Sequence, residues 1–323
     1  MRSRLPTRIK VLWTRREVLW TVVGSLLVAV FIFLGYRYQW QWTGFPQKRL
    51  FNWIQILVIP VAVAIGTFVL NRSAQRRDDA AQQAQRKSEE QLQHQRTEDA
   101  TLQAYLDYMS GMLTDPDRPL QRSHLGDTLS VAARAQTLTA LRRLQDGERK
   151  GSAIQFLYEA GLINGTYPII SLQGANLQRA ILQYTDLQRA NLRGARLQDA
   201  KLKGTNLLGA NLREANLRGA ILQEAILLGA DLQAAILRSA DLQAADLQAA
   251  ILQEANLRSA DLRNADLQGA WLLRAKLLGV NLHGVRKLTQ EQINEAFGDE
   301  NTQLPDHLHL PQHWRSKGDS GES

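Results

Sequence analysis

The hydrophobic pattern is simplest in the second half of the chain. From Leu172 to Leu282 a leucine occupies every fifth position, 23 in unbroken register. Two places before the leucine stands a small residue, alanine at 19 of the 21 positions from Ala175 to Ala275, with Thr185 and Thr205 as the exceptions. A period of five suits neither standard element. In a helix five residues advance about 500°, so successive leucines drift by about 140° and spiral over every face. In a flat strand the odd spacing throws alternate leucines to opposite sides. They can share one interior only if the backbone turns a corner in every repeat. The pattern therefore predicts a coil wound around a narrow core, with the small residues where the chain runs closest to the axis.

Upstream the pattern changes. The stretches Val18 to Tyr36 and Phe51 to Leu70 carry no charged residue and are 19 and 20 residues long. That length crosses about 30 Å of hydrocarbon at about 1.5 Å per residue. Trp13, Trp20, Tyr36, Tyr38, Trp40, Trp42, Phe51 and Trp53 gather at the segment ends, where amphipathic rings favour the headgroup level. Two transmembrane helices are expected, in a plasma or thylakoid-type membrane, with both termini and the repeat region cytoplasmic because Lys and Arg are denser outside the connecting loop. A cleaved signal peptide fits poorly, since the apolar run is long and no small-residue cleavage site follows it.

Residues 72–113 are rich in Gln, Glu, Arg and Ala and predict a solvated helical stalk. Their apolar residues are too sparse before Ala100 for a clear heptad seam, which speaks against a coiled-coil dimer. Helical spacing returns over 130–144 and 148–162, so a small helical unit leads into the repeats. The expected organisation is a two-span anchor over 1–71, a stalk and helical unit over 72–162, the repeat column over 163–287, and a capping helix with a flexible tail over 288–323. Arg142, Arg143, Arg149 and Lys150, interleaved with Asp146 and Glu148, read as a solvated face.

Charge and composition narrow the function. The net charge of +8 comes from residues 1–17 and 37–50, and everything from Arg72 onward sums to zero. The basicity thus flanks the apolar segments, and a nucleic-acid partner is not favoured. With no cysteine, the chain has no disulfide, thiolate metal site or cysteine nucleophile. No phosphate loop, HExxH or GxSxG motif occurs. Repeat aspartates such as Asp231, Asp241, Asp246, Asp261 and Asp266 suit turn hydrogen bonds better than acid–base chemistry. His307, His309 and His313 lie in a Pro-rich tail without a metal-ligand spacing. No catalytic residue, cofactor or metal is expected.

The A-[N/D]-L-x-x pattern, as in Ala175-Asn176-Leu177 and Ala230-Asp231-Leu232, resembles the pentapeptide-repeat family. That resemblance covers 171–285 and implies an all-β solenoid, a right-handed quadrilateral β-helix in which four repeats make one coil. With two spans and a helical middle, the plan looks like membrane-anchored pentapeptide proteins of cyanobacteria. Strongly acidic family members mimic DNA; this slightly basic column does not suit that role.

If coils stack every 20 residues, the exposed positions fall into columns. Arg218, Arg238 and Arg258 then lie one above another, a candidate docking stripe for an acidic partner. Leu208 and Leu228, with Ile226 beside them, form a candidate apolar patch for a partner or for self-association. The expected function is a non-enzymatic membrane-tethered scaffold that offers a rigid surface to a cytoplasmic protein, with the bilayer as a further partner and a homo-oligomer open. The competing expectation is a subunit or regulator of an oligomeric transport or channel assembly.

Overall fold

The computed structural model describes residues 50–164 and 168–315, together with Val30, Phe33, Leu34 and Arg37. The chain divides into two compact units, Met1–Glu89 and Glu90–Ser323. The first helix, α1, is Leu50–Thr114. From Asn71 on its sequence is dominated by Gln, Arg, Glu, Asp and Ala, and the side chains from 71 to 96 are almost all exposed.

Among the described residues no helix is long and apolar enough to cross a membrane. The two expected transmembrane helices are therefore not supported, and the assignment as an integral membrane protein, with its orientation and its bilayer partner, is corrected. Hydropathy locates apolar residues but does not set how far a helix runs. The second apolar segment lies within a helix of 65 residues that continues into polar sequence. The first segment, apart from Val30, Phe33 and Leu34, lies outside the described residues, as does the connecting loop.

In the second unit α2 (Thr128–Arg143) and α3 (Gly147–Glu159) pack with the end of α1. Their core contains Tyr105, Met109, Leu120, Leu141, Ile154 and Leu157, all buried. Asp146 caps α3, its carboxylate accepting from the Arg149 amide. Glu98, buried on α1, accepts from the amides of Gln145 and Asp146 at 2.7 and 3.0 Å, so one carboxylate of α1 ties down the turn that starts α3.

The repeats coil as the five-residue period requires. Parallel bridges join each residue before a leucine to the residue 20 positions on, from Asn176 with Arg196 to Asp266 with Arg286. Four repeats therefore complete one turn. Every central leucine from Leu172 to Leu282 is buried, and so are the alanines two places earlier; each such leucine contributes on the order of 2 kcal/mol before chain entropy is charged. Among the described residues, however, the column holds single-residue bridges and no strands, which corrects the expectation of an all-β class. The residue two after each leucine lies at a φ between 52° and 71° in all 23 repeats. This left-handed residue turns the corner and cuts the extended backbone before a strand can grow.

Where the bridge residue is Asn or Asp, it also serves its own corner. Asn or Asp before the leucine accepts the amide of the residue after it, as Asp186 does for Gln188 (2.9 Å) and Asp231 for Gln233 (3.0 Å). Thr205, at an alanine position, remains buried because its hydroxyl donates to the Leu182 carbonyl at 2.7 Å.

An open coil would leave backbone groups unpaired at both ends. At the first coil, Arg134 of α2 donates to the Ser171 and Gln173 carbonyls, Lys150 of α3 to the Gln178 carbonyl, and the Gly147 carbonyl accepts the Ile181 amide. At the last coil, α4 (Gln290–Asn294) follows a capping box between Thr289 and Gln292. Gln292 donates onward to the carbonyls of Leu267 and Ala270. Phe297 and Gln303 then bridge to Lys276 and Asn281, adding part of a further coil, over which Trp314 is buried and donates to Ala296 at 2.9 Å.

Candidate functional site

The four sides of the column are named here by one leucine of each: the Leu212, Leu217, Leu222 and Leu227 faces. On each face the residue before and the residue after the leucine point outward in two parallel columns. The Leu217 face carries Arg218, Arg238 and Arg258 on three consecutive coils, each exposed. The ladder fixes their alignment: Asp199 donates to the Arg218 carbonyl, Gly219 to that of Arg238 and Ser239 to that of Arg258, at 2.9 to 3.0 Å. The structure brings the three guanidinium-bearing residues together as a row, with neighbours one coil step of about 4.8 Å apart.

What separates this row from the other basic residues placed directly after a leucine is the residue above it. On the neighbouring faces a basic side chain after the leucine reaches an acid 21 positions on, as in Arg193 with Glu214 (2.8 Å) and Lys203 with Glu224 (3.2 Å), or 18 positions on, as in Arg213 with Asp231 (3.4 Å). Arg263 pairs with Asp261 at 2.7 Å, and this holds the Asp261 carboxyl below its ordinary range. For Arg218, Arg238 and Arg258 the residues at those two places are Ser239 and Ile236, Ser259 and Asn256, Gly279 and Lys276. No acid stands at those two places, and none of the ion pairs found among the described residues involves these three arginines.

The imbalance extends over the whole face. Within 171–285 the Leu217 face bears Arg179, Arg196, Arg218, Arg238, Arg258 and Lys276 against Asp199 alone, while the other three faces together bear seven basic and nine acidic residues. Arg196 donates to Gln178 at 3.2 Å. The basic excess of the column is thus confined to one side.

The apolar candidates lie opposite, on the Leu227 face. Leu208 and Leu228 occupy the same column on adjacent coils, aligned by Arg189 and Gly209 donating to their carbonyls. Ile226 stands in the neighbouring column of Leu228's coil. Ile226 and Leu228 are exposed and Leu208 is half-buried, so the three form a small patch. The larger exposed apolar residues of the column, Trp271 and Leu273, share the last coil of the Leu212 face. The period does not single them out, because they occupy ordinary outward positions of the repeat.

The basic cluster around the α2–α3 junction differs in part from its reading as a solvated face. Arg142 and Arg143 are exposed, but Lys150 is buried and Arg149 pairs with Asp99 at 2.8 Å. Burial pushes the Lys150 ammonium below its ordinary range, partly offset by Glu98. Lys150 thus fastens α3 to the column through the Gln178 carbonyl, and Arg149 fastens it to α1. Ring nitrogens of His307 and His313 contact the Leu288 and Ala296 carbonyls, and among the described residues no group of three metal-ligating side chains converges.

A family model for pentapeptide repeats (8 copies) matches residues 170–209, 204–238, 240–277 and 250–286. No curated protein matches the chain. Among solved structures, HetL, a pentapeptide repeat protein involved in heterocyst differentiation regulation from the cyanobacterium Nostoc sp. strain PCC 7120, is 25% identical over 49% of this chain and 92% of its own, with a TM-score of 0.29. A pentapeptide repeat protein from the thylakoid lumen of Arabidopsis thaliana is 27% identical over 37% of this chain and 72% of its own, with a TM-score of 0.23. Rfr23 from the cyanobacterium Cyanothece 51142 is 35% identical over 32% and 63%, with a TM-score of 0.20. With TM-scores this low, the fold is carried by the bridge ladder and the repeat match. Over the stretch from 170 to 286, the chain belongs to the pentapeptide-repeat family.

Proposed function

We propose that this protein is a non-enzymatic scaffold whose repeat column presents a rigid surface to a protein partner. Pentapeptide-repeat proteins are generally interaction proteins and not enzymes. The observation that carries the reading is the row Arg218, Arg238 and Arg258, exposed and outside every ion pair found among the described residues, on a backbone whose coils are hydrogen-bonded one to the next. Like charges one coil apart repel unless an anionic group faces them. A preorganised surface loses little conformational entropy on binding, which is the physical advantage of a column over a loop. The patch of Leu208, Ile226 and Leu228 is the second candidate surface, for a partner or a second copy. The competing reading, a subunit or regulator of a transport or channel assembly, rested on the two spans, which the described residues do not support.

In-cell crosslinking with mass spectrometry tests this, using the full-length protein beside an R218Q/R238Q/R258Q variant. The reading expects a protein crosslinked to the Leu217 face and lost in the variant. A partner retained in the variant and crosslinked near Leu208 and Leu228 moves the site to the apolar patch. Crosslinks confined to the chain's own residues overturn the scaffold.

A further inference from the structure

We propose, resting on the scaffold reading above, that the Leu217 face is a docking strip for an acidic α-helix of the partner, whose carboxylates one turn apart meet Arg218, Arg238 and Arg258. The occupant follows from charge and spacing. Six basic residues against one acidic line this face, and the three central guanidiniums take part in none of the ion pairs found among the described residues. Bidentate pairing with carboxylates is the contact such guanidiniums make best.

Spacing selects the form of the ligand. Three arginines on successive coils span about 10 Å at about 4.8 Å per step. Two turns of α-helix rise about 11 Å, so carboxylates at i, i+4 and i+7 stay within about an ångström of register. In an extended chain, carboxylates on alternate residues recur every 6.6 to 6.8 Å or so. The third is then about 4 Å out of step. Duplex nucleic acid gains affinity with each phosphate neutralised, yet this strip is only one repeat wide and is bordered by the Leu212 and Leu222 faces, each with three basic and three acidic residues. The strip also has apolar contacts for an amphipathic helix: Ile236 is exposed beside the arginine row, and Phe297, bridged to Lys276, stands exposed at its C-terminal end.

Fluorescence anisotropy with the full-length chain tests the proposal on three labelled probes: a helical peptide with Glu at i, i+4, i+7 and i+11, a peptide of the same composition with those residues scrambled, and a single-stranded DNA oligonucleotide. Two variants accompany the wild type. R218Q/R238Q/R258Q removes the row, and R193Q/R213Q/R263Q removes the same charge from ion pairs on the other faces. Circular dichroism checks that both remain folded. The helical peptide is expected to bind best, with a Kd that rises about tenfold or more in the first variant, equivalent to about 1.4 kcal/mol, and changes little in the second. Equal binding of the scrambled peptide, equal weakening by both variants, or preference for the oligonucleotide overturns it. If the peptides fail while crosslinking still places a protein on the Leu217 face, the helix is wrong and the scaffold stands. If crosslinking also finds no partner, both fall.

Discussion

At the scale of single residues, the column is built on a conformation that most of its residues resist. The corner residue two places after each leucine adopts a left-handed backbone, and at 14 of the 23 corners it is not glycine. For an L-residue that conformation costs about 1–2 kcal/mol. Ala244 is a clear case: φ is 55°, its side chain is exposed, and its amide still donates to the Arg263 carbonyl at 2.9 Å. Replacing it with glycine removes the strain and keeps the bond, against a loss of about 0.5–1 kcal/mol through greater freedom of the unfolded chain. We expect Ala244→Gly to raise stability by about 0.5–1 kcal/mol, seen as a thermal midpoint a few degrees higher. A lower midpoint would show that the corner is not strained. The sequence gives little sign of this, because Ala, Ser, Glu and Arg at the corner carry no turn signature. The buried leucines and alanines, in contrast, are legible from the period alone, since no regular helix or strand can gather them.

At the scale of elements, the helices over 128–143 and 147–159 are readable from apolar spacing and the intervening Asp-Gly turn. Their attachment to the column is not. Arg149 and Lys150 look solvated in sequence because acidic neighbours interleave them, and only the packing of α3 on the first coil buries Lys150 and aims its ammonium at Gln178. A buried charge with one hydrogen bond contributes little net stability, while its alkyl stem fills space. Lys150→Met is therefore expected to lie within about 1 kcal/mol of the wild type, and Lys150→Ala to cost about 2–3 kcal/mol through the cavity. The pH dependence has a definite sign. The folded lysine has a depressed pKa, so the unfolded chain binds more protons, and stability rises with pH from that depressed value up to the ordinary lysine range. Thermal unfolding across alkaline pH should show this slope in the wild type and its loss in Lys150→Met. The same slope in both would assign it to another group. The apolar segments near the N-terminus show the converse limit: their composition suggests spans, but the helix through the second runs on into charged sequence.

At the scale of the whole repeat unit, function depends on which residues share a face. Twenty residues per coil turn the linear sequence into four columns, and acids 18 or 21 positions beyond a basic residue pair with it. Ser239, Ser259 and Gly279 stand where such acids stand on other faces, and among the described residues Arg218, Arg238 and Arg258 join no ion pair. This was legible in sequence once the coil length was accepted, although the confinement of the basic excess to one face emerges only from comparing all four. Ten residues take the chain to the opposite face, so a slip in the assumed coil length would dissolve both candidate sites.

The most direct measurement exploits the absence of native cysteine. Two full-length double variants, Arg218→Cys with Arg238→Cys and Arg218→Cys with Leu228→Cys, are oxidised mildly and analysed by mass spectrometry. Stacked coils place backbones about 4.8 Å apart, within the roughly 4.4–6.8 Å between Cα atoms that a disulfide accepts. The first pair should close to an intramolecular disulfide and the second, on opposite faces, should stay reduced. A disulfide in the second pair and none in the first would contradict the 20-residue coil and the arginine row that depends on it.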